Sequence, residues 1–343
     1  MNGSQRFLAA CAHKPVDRAP VWMMRQAGRY LPEYRAIRER VDFLTLCKTP
    51  DLACEVSLQP VKRFGTDACI VFSDILIPVE AMGAPLAFTD QGPSLERPVR
   101  TMADVDHLAV PDPHERTPFV MQTLRMLRAV LRDETALIGF CGAPFTLAAY
   151  LIEGGGSKNF AQTKTLLYGE PALMHALLAK LADTVATYAA AQAAAGAQAI
   201  QVFDTWAGEL APEAYACFAL PYQQVVIERV KAAGVPAILF VNGCAGVLEL
   251  LAQAKADVLS IDWRIGLDAV RARVGAQAAL QGNVDPAVLL ASPAAVTDAA
   301  QAAMRAAGPR GHILNLGHGV LPTTPLECVQ AFVDAPKSAA VGA

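Results

Sequence analysis

Short runs of apolar residues recur along the chain, separated by longer segments with helical periodicity. These runs are continuous and do not alternate with polar residues. Continuity is typical of strands in a parallel sheet that is covered by helices on one side and filled by side chains on the other. The pattern predicts eight strands, at Val21–Met24, Ala68–Phe72, Ala136–Phe140, Ala199–Phe203, Ala237–Val241, Asp257–Ile261, Ala278–Gln281 and His312–Leu316.

The segments between the later runs have the composition and the end signals of helices. One segment, Pro171–Ala195, is rich in Ala and Leu and is followed by Gly196, while Pro212–Ala233 is followed by Gly234. Proline is favoured in the first turn of a helix, and glycine is favoured just beyond its end. We therefore expect one helix in each segment.

Strand and helix alternate throughout, which predicts an α/β protein with a parallel sheet. The first strand is not followed by Gly-x-Gly-x-x-Gly, which favours a (β/α)8 TIM barrel over an open nucleotide-binding sheet. Longer gaps between the first strands leave room for insertions, such as Ala84–Val110. No Ser-, Gly- or Pro-rich linker divides the chain, so we expect one catalytic domain over residues 1–343, with a core from about 6 to 333 and a short flexible C-terminal tail.

Composition narrows the class of partner. Hydrophobic residues make up 53% of the chain and charged residues 18%, and the net charge is −3. A weakly acidic chain without a basic patch is a poor candidate for binding nucleic acid. No apolar segment reaches the roughly 18 uninterrupted residues that a membrane span needs. We expect a cytoplasmic protein that binds neither nucleic acid nor membrane.

The cysteines give no sign of a metal site. All eight stand singly, without a Cys-x-x-Cys pair or a histidine at ligand spacing. Most are expected to be small buried side chains in a reducing compartment. The sequence predicts no metal and no organic cofactor.

Two arginines follow the first predicted strand, in Met24-Arg25-Gln26-Ala27-Gly28-Arg29. In a barrel the active site forms at the C-terminal ends of the strands, from the loops that follow them. The planar guanidinium matches a carboxylate or phosphate with two parallel hydrogen bonds. We interpret Arg25 and Arg29 as an anion-binding pair. The alternative is a pair of surface arginines bonded to carboxylates of the barrel itself.

Asp74 follows the second predicted strand, with apolar residues on both sides. A carboxylate in such surroundings is unfavourable unless it has hydrogen-bond donors, and at a strand end it is a candidate catalytic or ligand-binding group. The alternative is an N-cap of the next helix, against which Pro78 argues.

Weaker candidates follow other strands. His318 lies between two glycines, which would allow a ligand to approach closely, but a satisfied core histidine is an equally good interpretation. Tyr150 and Thr205 are candidates that could equally be core hydroxyls.

Four segments carry a resemblance to one enzyme family. They are Pro20–Tyr34, Phe72–Leu76, Gly139–Gly154 and Asn315–Gly319, and the similarity extends from Arg6 to Val333. They resemble the signatures of the uroporphyrinogen decarboxylase family, which converts the four acetate side chains of uroporphyrinogen III to methyls, giving coproporphyrinogen III and CO2 in haem biosynthesis. The resemblance implies a single barrel, usually a homodimer, that acts without a metal or organic cofactor.

The resemblance also implies which residues of this chain meet the tetrapyrrole. The implied substrate-binding residues are Arg25, Gln26, Arg29, Asp74, Tyr150, Thr205 and His318, and the implied catalytic ones are Asp74, Arg29, Tyr150 and His318. Relatives carry either Ser or Thr at the position of Thr205.

The chemistry of the substrate suggests roles within this set. A protonated pyrrole can accept the electrons left when CO2 departs, so we hypothesise that Asp74 accepts hydrogen bonds from pyrrole N–H groups and stabilises that cation. The two arginines, with Tyr150 and His318, would bind the acetates and propionates. The proton donor stays open among Arg29, Tyr150, His318 and a bound water.

Two rival functions share parts of this pattern. Barrel methyltransferases that activate a thiol on zinc need His and Cys at the later strand ends, but this chain has Asn242-Gly243-Cys244 there and no second thiol beside His318. A non-catalytic tetrapyrrole carrier could share the pocket, although it would not need Asp74 among apolar neighbours.

Overall fold

The protein is described here by a computed structural model that covers residues 1–89 and 92–339. Nine strands are present in this part of the chain: β1 Ala68–Ile70, β2 Leu86–Thr89, β3 Gly92–Leu95, β4 Ala136–Gly142, β5 Ala199–Asp204, β6 Ala237–Val241, β7 Val258–Ile261, β8 Ala279–Val284 and β9 His312–Leu316. Seven of them form one parallel sheet, in the order β1-β4-β5-β6-β7-β8-β9. The parallel α/β prediction is therefore confirmed for seven of the eight runs.

Helices lie between the strands. In the same part of the chain they are α1 Gly3–Cys11, α2 Pro32–Arg38, α3 Phe43–Lys48, α4 Pro50–Phe64, α5 Ile77–Ala81, α6 Met102–His107, α7 Pro113–Arg116, α8 Pro118–Leu131, α9 Pro144–Glu153, α10 Ala161–Gly169, α11 Pro171–Ala194, α12 Pro212–Phe218, α13 Leu220–Ala232, α14 Leu248–Gln253, α15 Leu267–Val274, α16 Pro293–Ala307 and α17 Leu326–Ala339. Of these helices, none has the length and apolar character that crossing a membrane requires. The last four residues of the predicted flexible tail, 340–343, lie outside the described residues.

The prediction of an eighth strand at Val21–Met24 is wrong, because this segment makes only one isolated parallel bridge, between Val21 and Leu314. Its backbone nevertheless bonds to both edges of the sheet. The Leu314 N–H donates to Pro20 O at 2.9 Å, and the Asp67 N–H donates to Val21 O at 2.8 Å. The segment is too short for a ladder because the chain turns at once, with the Gln26 N–H donating to Met23 O.

A buried polar layer shows that the sheet curls. Gln281 on β8 donates to Gln201 on β5 at 2.9 Å and to Ser260 on β7 at 2.9 Å, and it accepts from Trp22 Nε1 at 2.9 Å. Strands β5 and β8 are not neighbours in the sheet, so their side chains can meet only across a concave face. This layer fills the inside of the curl below the strand ends.

The helix prediction for Pro212–Ala233 is also wrong, because the segment forms two helices, α12 and α13, that meet at Ala219. Pro221 has no N–H to continue the hydrogen-bond ladder of α12, and it lies in the first turn of α13 instead. The prediction for Pro171–Ala195 is confirmed by α11, which ends where Gly196 adopts a positive φ of 113°.

The long connection from β1 to β4 contains an antiparallel hairpin of β2 and β3. The hairpin lies against the end of α9, where the Leu95 N–H donates to Gly154 O at 2.9 Å and Ser94 forms a bridge with Gly155. The connection therefore packs against the C-terminal end of α9.

Candidate active site

The C-terminal ends of the parallel strands place most of the predicted site residues at one end of the sheet. Asp74 follows β1, Thr205 follows β5 and His318 follows β9, while Tyr150 lies on α9 directly after β4. Arg25 joins them from the segment beside β9, because its side chain lies against Gly319. The structure thus brings predicted residues from five separate segments to the same end of the sheet.

Arg25 is positioned by its backbone. It has a φ of +60°, which is uncommon for a residue other than glycine. On its N-terminal side, the Met24 N–H donates to Asn315 Oδ1 at 3.0 Å, and Met24 O accepts from the Val320 N–H at 2.9 Å. The turn is therefore tied to the loop that follows β9, so Arg25 and His318 are held on neighbouring loops.

Both arginines of the pair are exposed. In the part of the chain that the structure describes, neither guanidinium forms an ion pair with a carboxylate, whereas Arg6 and Arg18 are both paired with Asp67. The alternative interpretation, arginines bonded to the barrel's own carboxylates, therefore fits Arg18 and not Arg25 or Arg29. Exposed guanidiniums that no carboxylate of the described residues neutralises are suited to binding an anion.

Gln26 is placed differently from the other candidates, since its side chain is fully buried. Its Oε1 accepts from the Met23 N–H at 3.2 Å, and its Nε2 donates to Ala68 O at 3.1 Å. Both ends of the amide are thus used within the protein, where they join the arginine loop to the start of β1. Sequence reasoning missed this because nothing in the motif distinguishes a buried amide from an exposed one.

Asp74 does not cap a helix. Its Oδ1 accepts from the Leu76 N–H at 2.8 Å in a tight turn, and α5 begins only at Ile77. Burial raises the pKa of Asp74 to about 6, against the lowering effects of the Leu76 N–H and of the Arg25 charge. At neutral pH most of this carboxyl group is ionised, next to apolar neighbours and within the field of Arg25.

Tyr150 lies against an aromatic cluster with Trp206 and Phe160, next to the loop that carries Thr205. The Tyr150 ring lies 6.1 Å from the ring of Trp206, which directly follows Thr205, and Phe160 lies 5.1 Å from the same Trp206 ring. Burial raises the pKa of Tyr150, and the charge of Asp74 raises it further. Tyr150 and Asp74 are therefore close enough to interact electrostatically, and Tyr150 stays protonated at neutral pH.

Asp204 holds the loop of Trp206 and the start of α9 together. The sequence did not reveal this role. Asp204 is fully buried, and it accepts from the Thr146 Oγ1 at 2.7 Å, from the Thr146 N–H at 3.1 Å and from Gln223 Nε2 at 2.8 Å. Thr146 Oγ1 in turn accepts from the Trp206 N–H at 3.0 Å. The start of α9 and the Thr205–Trp206 loop are thereby fixed to each other. Only the position of Asp204 at a strand end hinted at a polar role.

His318 lies between two aromatic rings and within the field of Arg25. Its ring is 5.9 Å from Phe240 and 6.4 Å from Trp263, in edge-on contacts. Burial lowers the pKa of His318 to about 4, and the charges of Arg25 and Arg264 lower it further, against the effect of Asp262. His318 is therefore a neutral imidazole at physiological pH, so it is able to donate one hydrogen bond and accept another.

Asn242 and Cys244 stand where a zinc-dependent methyltransferase would need its metal ligands, and they have other surroundings here. Asn242 Oδ1 accepts from Arg264 Nη1 at 2.9 Å, and Cys244 is buried. Across residues 1–89 and 92–339, His, Cys, Asp and Glu form no group of three or more that is placed to hold a metal ion.

Comparison with known proteins identifies the family. A family model described as uroporphyrinogen decarboxylase (URO-D) matches residues 2–339. The chain belongs to the uroporphyrinogen decarboxylase family. It is 49% identical over 332 residues to the uroporphyrinogen decarboxylase of Myxococcus xanthus, covering 97% of this chain and 95% of that protein. It is 51% identical over 329 residues to that of Pelobacter propionicus, covering 96% of each.

A solved structure agrees with the fold. A methyltransferase from Methanosarcina mazei superposes with a TM-score of 0.84 at 22% identity, over 98% of this chain and 99% of that one. At this identity the likeness shows a shared fold and does not transfer an activity. The functional comparison therefore rests on the relatives that are about 50% identical to this chain.

Proposed function

We propose that this chain decarboxylates uroporphyrinogen III, converting its four acetate side chains to methyls and giving coproporphyrinogen III and CO2. The observation that carries the proposal is the proximity of Asp74, a buried carboxyl group of raised pKa, to Arg25, an exposed guanidinium whose charge acts on it without forming an ion pair. Membership in the decarboxylase family supports the same reaction. The site then consists of a part that holds carboxylates and a part that promotes the chemistry.

The carboxylate-holding part is the arginine pair. Arg25 and Arg29 stand exposed at the cleft without a carboxylate of their own in the described residues, and each can form two parallel hydrogen bonds to an acetate or propionate. Gln26 supports them from below through its bonds to Met23 and Ala68. In this proposal Gln26 contributes to substrate binding by holding the loop, without touching the substrate.

The chemistry-promoting part is centred on Asp74. Protonation of a pyrrole carbon next to the acetate-bearing position makes the ring a cation, and that cation accepts the electron pair of the breaking carbon–carbon bond as CO2 leaves. Loss of CO2 leaves a neutral ring with an exocyclic methylene. The methylene carbon then takes a proton, and the proton first added to the ring carbon is lost, which restores the neutral pyrrole with a methyl group. Asp74, mostly ionised at neutral pH, accepts the pyrrole N–H hydrogen bonds and stabilises the cation while it exists. The substrate itself serves as the electron sink, so the proposal includes no cofactor.

Two of the four candidate proton donors are poorly matched to that task. His318, with its pKa lowered to about 4, lacks the second ring proton at neutral pH. Tyr150, with its pKa raised above its ordinary value, holds its proton more tightly. We therefore assign both residues to hydrogen bonding with the substrate, and we leave Arg29 and a bound water as the donors to be tested.

Three expectations also stay proposals: a homodimer, which the family resemblance implies; a cytoplasmic location, which the composition predicts; and a closed barrel, in which the segment from Pro20 to Trp22 would take the eighth position without forming a strand. The last is supported by the backbone bonds of this segment to both Leu314 and Asp67. Light scattering of the purified protein tests the homodimer, and fractionation of cells tests the cytoplasmic location.

The decisive experiment is anaerobic incubation with uroporphyrinogen III, with the products separated by the number of carboxyl groups that remain. The proposal expects intermediates with seven, six and five carboxyl groups and a final tetracarboxylic product. Activity that survives dialysis against a metal chelator supports the cofactor-free reaction. Binding of the tetrapyrrole without loss of carboxyl groups would instead identify a carrier, and zinc in the purified protein would favour the methyltransferase alternative.

A further inference from the structure

A third arginine lies at the cleft, in the loop after β7. Arg264 stands three residues beyond Ile261, the last residue of that strand, at the end of the sheet where the candidate site lies. Its side chain is 46% exposed. Its charge lowers the pKa of His318, as does that of Arg25, so the two guanidiniums act on the same imidazole.

The guanidinium of Arg264 is held in place from three directions. It stacks on the Trp263 ring, with Cζ 4.1 Å from the ring centroid. Its Nη1 donates to Asn242 Oδ1 at 2.9 Å and to Asp262 Oδ1 at 3.3 Å. Trp263 in turn makes its edge-on contact with His318 at 6.4 Å between ring centroids. An exposed arginine ordinarily moves freely, whereas this one is fixed beside a residue of the site.

The ion pair with Asp262 does not use up the charge of Arg264. Asp262 is fully buried, and its Oδ2 accepts from the N–H groups of Gly243 at 2.6 Å and Cys244 at 2.9 Å. Its Oδ1 accepts from the Arg264 N–H at 2.8 Å, besides the longer bond to Nη1. Three backbone dipoles thus already stabilise this carboxylate.

The free side of the guanidinium is the edge formed by Nε and Nη2. Within residues 1–89 and 92–339, neither of these atoms donates a hydrogen bond, because every side-chain bond of Arg264 leaves from Nη1. An Nε–Nη2 edge is one of the geometries in which arginine binds a carboxylate with two parallel bonds. The protein therefore presents a fixed cation with an unused two-donor edge at the His318 side of the cleft.

We propose that Arg264 is a substrate-binding residue that takes a peripheral carboxylate of the tetrapyrrole through its Nε–Nη2 edge, beside His318. Trp263, Asn242 and Asp262 are the positioning residues that hold it. The proposal rests on the decarboxylase function proposed above. A substrate with eight carboxylates can use more cations than the Arg25–Arg29 pair supplies. Arg264 accordingly contributes to affinity and not to the bond-breaking step.

The test is steady-state kinetics of R264Q with uroporphyrinogen III under anaerobic conditions. Loss of a charge-assisted pair of hydrogen bonds predicts a KM about tenfold above that of the wild type, with kcat within about twofold. The R264K variant keeps the charge but loses the fork and the flat face for Trp263, so its KM is expected to lie between the two. The matched control is R273Q, since Arg273 is an exposed arginine on α15 that pairs with Glu249, and its KM should stay at the wild-type value.

Thermal unfolding of the same variants separates binding from a structural role. With a binding role, coproporphyrinogen raises the Tm of R264Q less than it raises that of the wild type, whatever the Tm without ligand. The inference is overturned if R264Q keeps the wild-type KM, or if kcat falls while KM and the ligand-induced shift stay unchanged. If R264Q does not fold, R264K decides by the same two measurements. An inactive wild type would contradict the decarboxylase function itself, so the two failures are distinguishable.

Discussion

The side-chain stem of Arg25 lies directly against the backbone of Gly319. A Cβ atom at position 319 would stand 3.1 Å from Arg25 Cβ, 2.7 Å from Cγ and closer still to Cδ. The sequence pointed to this glycine as room for a ligand beside His318. The structure shows that the room is taken by the arginine, so the glycine sets where the guanidinium lies.

Replacing Gly319 by alanine is therefore expected to displace Arg25 while leaving the fold intact. Position 319 does not have a positive φ, so alanine is compatible with the backbone, and the clash falls on the arginine stem. We expect G319A to raise the KM for uroporphyrinogen about tenfold with a small change in Tm. Steady-state kinetics measures the KM, and thermal unfolding measures the Tm.

The matched control is G169A. Gly169 ends α10, and a Cβ there would meet nothing within 4 Å. Both substitutions add one methyl group to the backbone of a glycine, so they differ only in what the methyl meets. Equal KM values for G319A and the wild type would show that Arg25 adapts without loss, and that the close contact does not position it.

The raised pKa of Asp74 predicts an acid limit of activity. If turnover needs the ionised carboxylate, kcat/KM falls as the pH drops through about 6. The D74N variant should lose turnover by at least about a hundredfold, because no charge then faces the pyrrole cation. A pH profile of the wild type from 4.5 to 8, alongside D74N at pH 7, tests both. Near-normal turnover in D74N would refute the role of Asp74.

The same substitution is expected to stabilise the protein. The pKa of Asp74 is raised above the ordinary 3.8, so the fold favours the protonated form, and that contribution to stability is lost as the pH rises through about 6. Asparagine keeps an acceptor for the Leu76 N–H and carries no charge. We expect D74N to have a Tm about 2 °C above the wild type at pH 8, and no difference below about pH 4.

The control for that effect is D204N. Burial also raises the pKa of Asp204 to about 6, but its two oxygens accept from the Thr146 hydroxyl and N–H and from Gln223. In D204N the side-chain NH2 group would face either Gln223 Nε2 or the Thr146 donors, so two donors would face each other without an acceptor. D204N should therefore have a lower Tm than the wild type at pH 8. Opposite signs for D74N and D204N would show that hydrogen-bond satisfaction, and not burial alone, decides which carboxylate is needed for stability.

The Q26A variant tests whether Gln26 has a structural role or contacts the substrate. Truncation in Q26A leaves the Met23 N–H without its acceptor and removes one of two donors to the Ala68 carbonyl, which keeps its bond from the Thr66 hydroxyl, so the free energy of unfolding should fall by about 1–3 kcal/mol. The KM should rise as well, since the arginine loop loses its tie to β1. Denaturant unfolding measures the first effect. A raised KM at unchanged stability would favour direct contact with the substrate, as the sequence motif suggested.

If Arg25 and Arg29 each bind a carboxylate with two parallel hydrogen bonds, the KM should depend on the shape of the cation and not on its charge alone. R25K and R29K keep the charge but lose the two-donor fork, so each should raise the KM by about three- to tenfold at unchanged net charge. A parallel R63K variant, in an exposed arginine that pairs with Glu33 on the helical surface, should leave the KM unchanged. Wild-type KM values in R25K and R29K would argue against bidentate binding.

Much of the site was readable from the sequence because the fold places strand ends together. Once the apolar runs were interpreted as parallel strands, Asp74, Thr205 and His318 had to share one end of the sheet, and the structure places them there. The run at Val21–Met24 shows where this reasoning stops. It has the composition of a strand, yet the turn closed by Gln26 shortens it to a bridge, and composition does not record where a chain turns.

By itself, the sequence determined the parallel α/β class, the family signatures and the kinds of chemical group near the strand ends, because periodicity and residue type are local properties. Only the tertiary structure decided what each polar group is bonded to. It left Arg25 and Arg29 unpaired in the described residues while it paired Arg18 with Asp67, it buried Gln26, and it raised the pKa of Asp74 while lowering that of His318. These properties depend on neighbours that are distant in sequence, and burial and charge act on a group only once those neighbours are in place.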